Sequence, residues 1–213
     1  QINSRAEDLK VNALREDWNL REFAGNPMLL TTMAIVHQEK TRLPDERVQL
    51  YKQAVLVLLR RWRSKIGHGE ISVSPQLAKF LDANEQKPLL RVVEQLAYAA
   101  HQTRDGNDNR RPADLPREQA IKVLEKEALP AQKQSYELAI PLLEFIDKRA
   151  GLLLGRGGGL AGRPEIYSFP HRTFQEYLAG CFLLNGDDDE KAEAIAKHTT
   201  EGDYWHLAVR LAA

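Results

Sequence analysis

Between Leu152 and Phe169 the chain changes its period, and this change constrains the fold most. Leu152-Leu153-Leu154 and Ile166-Tyr167-Ser168-Phe169 are short apolar and aromatic runs on either side of a glycine-rich turn, Gly155 to Gly162. Two such runs around a turn predict a β-hairpin. The segments before and after it repeat their apolar residues at helical spacing. The expected fold class is therefore all-α with a single small β-hairpin.

The helical segments carry their own punctuation. Gly25-Asn26-Pro27 places an N-cap side chain before a proline suited to the first helical position. Leu29, Leu30, Met33, Ala34 and His37 follow at helical spacing, after an earlier helical pattern from Arg5 to Leu14. Leu43-Pro44 opens the next helix, striped by Tyr51, Val55, Leu58, Leu59, Trp62 and Ile66. Its basic end, Arg60, Arg61, Arg63 and Lys65, suits the negative end of the helix dipole and reads as solvated. Residues 67–87 read as a linker with one short helix near Gln76 to Leu81. Helix resumes from Pro88 to His101, a polar loop covers Arg104 to Asp114, and Pro116 opens another helix. The segment from Ala131 to Arg149 is apolar almost all round near Leu138 to Ile146, so it predicts a buried helix that Pro141 kinks or restarts. Gly151 is placed to cap its end.

Three helices, a hairpin and a following helix between residues 88 and 184 describe a winged-helix unit. The expected organisation is a helical domain at 1–66, a linker at 67–87, the winged helix at 88–184, and the start of a helical superstructure at 185–213. Both ends run directly into helical patterns, so both read as cuts through a longer protein.

Composition closes off several function classes. Of 213 residues 43% are hydrophobic, enough for a packed core. Thirty basic residues balance thirty acidic ones, so no global field draws the chain to nucleic acid or anionic lipid. The single cysteine, Cys181, excludes an internal disulfide framework and a cysteine-based zinc site. No apolar run approaches the roughly 20 residues of a membrane span, and a cytoplasmic location with no membrane partner is the expectation.

No catalytic set is legible. The turn from Gly155 to Gly162 has no following Lys-Ser/Thr and lies between strands, unlike a phosphate-binding loop. The six histidines make no metal-binding pair, and no serine sits in a nucleophile elbow. A winged helix often docks the helix before its wing in DNA. Here that helix sets Glu137, Glu144 and Asp147 against Lys133, Lys148 and Arg149, whereas a phosphate-facing helix is basic. A DNA-binding regulator is thus an alternative, as is a plain helical protein-interaction scaffold, and nucleic acid is not the expected partner. In Phe169-Pro170-His171-Arg172-Thr173-Phe174-Gln175-Glu176-Tyr177-Leu178-Ala179, the large apolar residues fill core and His171 starts a helix. A helix N-terminus also attracts anions, and an imidazole there can donate a hydrogen bond to phosphate.

Gly25 to Thr31, Leu43-Pro44 with Arg47 and Leu50-Tyr51, and then Trp62 resemble the region after the nucleotide-binding core of NACHT-type STAND ATPases. The segment Phe169 to Ala179 resembles their Phe-x-His-x-x-Phe-Gln-Glu-Tyr-x-Ala motif, in the bacterial-like form Arg-Thr-Phe-Gln-Glu-Tyr-Leu, and Tyr204-Trp205 resembles the start of the helical domain beyond it. The resemblance implies that His171 senses the phosphate of bound ADP and that Pro27 neighbours the adenine. It implies ADP or ATP with Mg²⁺ as cofactors of the full-length parent, held largely by a P-loop core that precedes this chain. It further implies interdomain locking, homo-oligomerisation on activation, and a role in signalling or antiviral (antiphage) defence. ATP hydrolysis then belongs to the parent and not to this chain, which has no Walker motif. The isolated chain should accordingly bind ATP or ADP with a Kd on the order of millimolar. Calorimetry giving micromolar affinity with turnover would contradict that division of labour.

Overall fold

The computed structural model describes residues 27–40, 47–67, 73–82, 87–103, 112–125, 135–158, 162–199 and 203–212. The chain divides into two units, Gln1–Val57 and Leu58–Ala213. In the first, α1 (Pro27–Lys40) begins at the expected proline, and α2 (Arg47–Gly67) continues into the second unit. Met33, Val36, Leu50, Tyr51, Ala54 and Val55 are buried. The Arg5–Leu14 helix, the Asn26 cap and the Leu43-Pro44 start lie outside the described residues.

In the second unit α3 (Pro75–Asp82) begins where Ser74 caps it, its hydroxyl accepting from the Leu77 N–H at 3.2 Å. Then come α4 (Lys87–Gln102), β1 (Asp114–Pro116), α5 (Arg117–Val123) and α6 (Ser135–Phe145). Pro141 lies within α6, which widens into a π-helical turn over Ile146–Ala150. Gly151 ends it in the left-handed region at φ 65°, which a glycine adopts without a Cβ clash.

β2 (Leu154–Arg156) and β3 (Ile166–Ser168) form the expected hairpin, displaced two residues along its first arm. β1 is a third strand within a stretch that reads from sequence as loop and helix start. The sheet order is β1-β3-β2, all antiparallel, with Leu115 opposite Tyr167 and Gly155 opposite Tyr167 on the other side. Three helices with a strand after the first, then a hairpin that adds to that strand, make a winged helix. The inward residues Leu115 and Tyr167 are buried, while Leu154 and Ile166 on the outer face are exposed.

After the wing, α7 (Arg172–Leu183) leads to α8 (Asp188–Thr199) and α9 (Asp203–Ala212). α7 packs most heavily against α4 and α9. Phe174 to Gly180 are buried without interruption, so this helix has almost no solvent face. At Gly180 the close approach is to backbone: an added Cβ would fall on the Ala208 carbonyl. Gly180→Ala should therefore force α9 away from α7 and lower stability by about 2–3 kcal/mol or more. Thermal or urea unfolding of the variant checks this, and a stability matching the unsubstituted chain would show that α9 yields at no cost.

Candidate functional site

The Phe169–Ala179 segment turns the chain from the wing into α7. Phe169 is buried and anchors the end of β3. His171 then takes an extended backbone (φ −146°, ψ 141°) as N-cap of α7. Its Nδ1 accepts from the Thr173 backbone N–H at 3.3 Å, and the Thr173 hydroxyl lies 2.6 Å from the same nitrogen. With an amide hydrogen pointed at Nδ1, the neutral ring carries its proton on Nε2. The imidazole is half-buried, and its cap satisfies one of the helix's initial amides. The sequence places His171 at a helix start, and the structure puts it there. Pro27 opens α1 in the other unit.

Phe174, Tyr177 and Leu178 enter the core as their spacing predicts. The sequence reading missed their polar neighbours. Glu176 is wholly buried and paired four residues back with Arg172, whose Nε lies 2.5 Å from Oε1. A buried carboxylate needs such a partner, because stripping its water is otherwise too costly. Gln175, equally buried, accepts from the Ala113 N–H at 2.8 Å. Its amide nitrogen faces His101 Nδ1 at 3.4 Å, and His101 Nε2 reaches the Tyr204 carbonyl at 3.3 Å. His101 packs edge-on to Trp205, with ring centroids 4.4 Å apart. Trp205 also stacks on His198, whose Nε2 meets the Tyr98 hydroxyl at 2.9 Å. No local pattern in the sequence signals any of these burials.

Glu94 on α4 is a second buried acid, touched by Asn185 Nδ2 at 3.4 Å. Burial pushes its carboxyl up to about 7, against the weaker opposing influence of Arg91 and the Asn185 hydrogen bond. Burial likewise raises the Tyr177 hydroxyl, with Cys181 and Glu94 adding to the effect.

Among the described side chains the helix before the wing shows no basic face, and Lys133 and the Arg149 side chain lie outside them. Glu137 and Lys148 are exposed and Glu144 and Asp147 half-buried, with Asp147 accepting from the Gly155 N–H at 2.8 Å. Arg156 on the wing is paired with Asp114. Among the described residues no three His, Cys, Asp or Glu side chains converge as a metal site, and no helix is long and apolar enough to cross a membrane.

The family model for the winged helix-turn-helix domain C-terminal to NACHT matches residues 47–183. No curated protein and no solved structure gives a significant match.

The buried Glu94 generates a pH dependence. Its folded pKa, about 7, lies above the ordinary 4.5, so its contribution to stability is complete below 4.5 and is lost as pH rises through 7. At about 1.4 kcal/mol per pH unit, the gap sets a ceiling of about 3 kcal/mol. Glu94→Gln should flatten stability over this range and leave the chain about 1–3 kcal/mol more stable at pH 8. Denaturant unfolding at several pH values decides the matter, and parallel curves for the two proteins would exclude Glu94 as the source.

Proposed function

Because the chain belongs to the family of winged helix-turn-helix domains C-terminal to NACHT, we propose that it reads the nucleotide state of its parent ATPase and locks or releases the packing of the parent's domains. A domain of this kind is not itself catalytic, and its natural neighbour is the NACHT core of the same protein. The observation that carries the proposal is the His171 cap. Thr173 holds Nδ1, which directs the ring proton to Nε2 at the positive end of α7. A hydrogen-bond donor at a helix N-terminus fits a phosphate oxygen.

In this reading His171 would contact the β-phosphate of ADP, and Pro27, at the head of α1, would neighbour the adenine. The amide-lined phosphate loop and the Mg²⁺ ligands would belong to the NACHT core. ADP would hold the parent closed. Exchange for ATP, with a trigger, would release it for homo-oligomerisation in cytoplasmic signalling or antiphage defence. What this chain would supply is the Nε2–H donor of His171, while Nδ1 of the same ring caps α7.

The structure suggests a variant that separates the two roles of His171. Asn is among the best N-cap residues, so His171→Asn keeps an acceptor for the Thr173 N–H while removing the ring. A hydrogen bond to a charged phosphate is worth roughly 1.5–3 kcal/mol, so its loss should shift the closed–open balance of the parent by about 10- to 150-fold. ADP should leave faster and activity without trigger should rise, while the melting temperature stays put. Phe174→Ala should do the opposite, costing about 3–5 kcal/mol of stability through a lost core aromatic. Unchanged ADP release and basal activity in His171→Asn would reduce His171 to a helix cap.

A further inference from the structure

The polar contacts of Gln175 and His101 have a direction that can be deduced. A backbone N–H can only donate, so the Ala113 amide fixes Gln175 Oε1 as the acceptor and turns the Gln175 NH₂ toward His101. That NH₂ can only donate, so His101 Nδ1 must accept and the ring proton must sit on Nε2. The Tyr204 carbonyl can only accept, and it faces that same Nε2 at 3.3 Å. Two independent constraints, one from each side, assign the same tautomer. Each of the three hydrogen bonds then joins one donor to one acceptor, and the two side chains between the ends are buried.

The series ties four elements together. Ala113 leads into β1 of the wing sheet, Gln175 lies one turn along α7 from His171, His101 ends α4, and Tyr204 begins α9. The family match ends at residue 183, so α9 lies beyond the matched winged helix.

We propose that Gln175 and His101 are positioning residues that couple α9 to the wing sheet and to the His171 helix. Neither side chain has a solvent face through which water could restore a weakened bond, so displacing one end strains the buried hydrogen bond at the next. A change in the position of α9 is therefore transmitted to the amide of Ala113, and the reverse holds equally. This coupling stands whether or not His171 meets a nucleotide.

Two measurements on the 213-residue chain test it. In the unsubstituted protein, imidazole ¹⁵N resonances should show His101 neutral with its proton on Nε2 near neutral pH. A proton on Nδ1, or a ring protonated on both nitrogens, would reverse a donor in the series and overturn the proposal without any variant. Second, His101→Phe keeps an aromatic ring against Trp205 but removes both nitrogens. Exchange of the Ala113 amide, which His101 does not bond, should accelerate roughly five- to tenfold. A Leu178→Val variant serves as a control for general destabilisation, with exchange compared at matched global stability. His101→Gln, which retains one donor and one acceptor, should recover at least part of the protection. Ala113 exchange no faster in His101→Phe than in the control would show that the two ends are independent. So would the absence of any recovery in His101→Gln.

Discussion

The second unit depends on one helix being buried on nearly every side. α7 lies against α4 and α9, and from Phe174 to Gly180 no residue reaches solvent. Such a helix is favoured by its apolar residues, but it also carries Gln175 and Glu176 inward. Both must be satisfied inside the protein. Arg172 pairs with Glu176, and Gln175 bridges the start of β1 to the end of α4. Apolar burial supplies most of the stabilisation, while the polar partners restrict how the surrounding elements can be arranged.

The wing is tied to its helix by the same means. Asp147, in the π-helical turn that ends α6, accepts the Gly155 N–H, and a Cβ at Gly155 would collide with Asp147 and with Pro164. Tyr167 sits on the inward face opposite Gly155, and burial together with the nearby Asp147 carboxylate raises its hydroxyl pKa. The hairpin therefore has a fixed register on a fixed support. Across the sheet Arg156 is paired with Asp114.

The helices were legible because their apolar residues repeat at 3.6 and their ends carry strong signals, as at Pro27 and Gly151. The hairpin was legible because the period changes there. β1 was not, since Asp114-Leu115-Pro116 is three residues long, contains a proline, and becomes a strand only where β3 supplies partners from fifty residues away. At the candidate site, the position of His171 followed from its motif, but the hydrogen bond that orients its ring did not. The burial of Glu94, His101, Gln175 and Glu176 was hidden for a related reason. A polar residue on a charged helix normally faces water, and only the tertiary sandwich around α7 reverses that. Gly180, a glycine inside an apolar helix, was the one local hint that another backbone comes close.

That contact at Gly180 has a mechanical consequence. Where helices meet through long side chains, rotamer changes let them slide by fractions of an ångström. α7 and α9 meet through backbone, with the Ala208 carbonyl over a residue that has no side chain to yield. The crossing point thus behaves as a pin in a socket. α9 can swing about it or leave it, but it cannot creep along α7. Displacing α9 along α7 therefore costs packing at once, because the backbone contact has no rotamer with which to adjust.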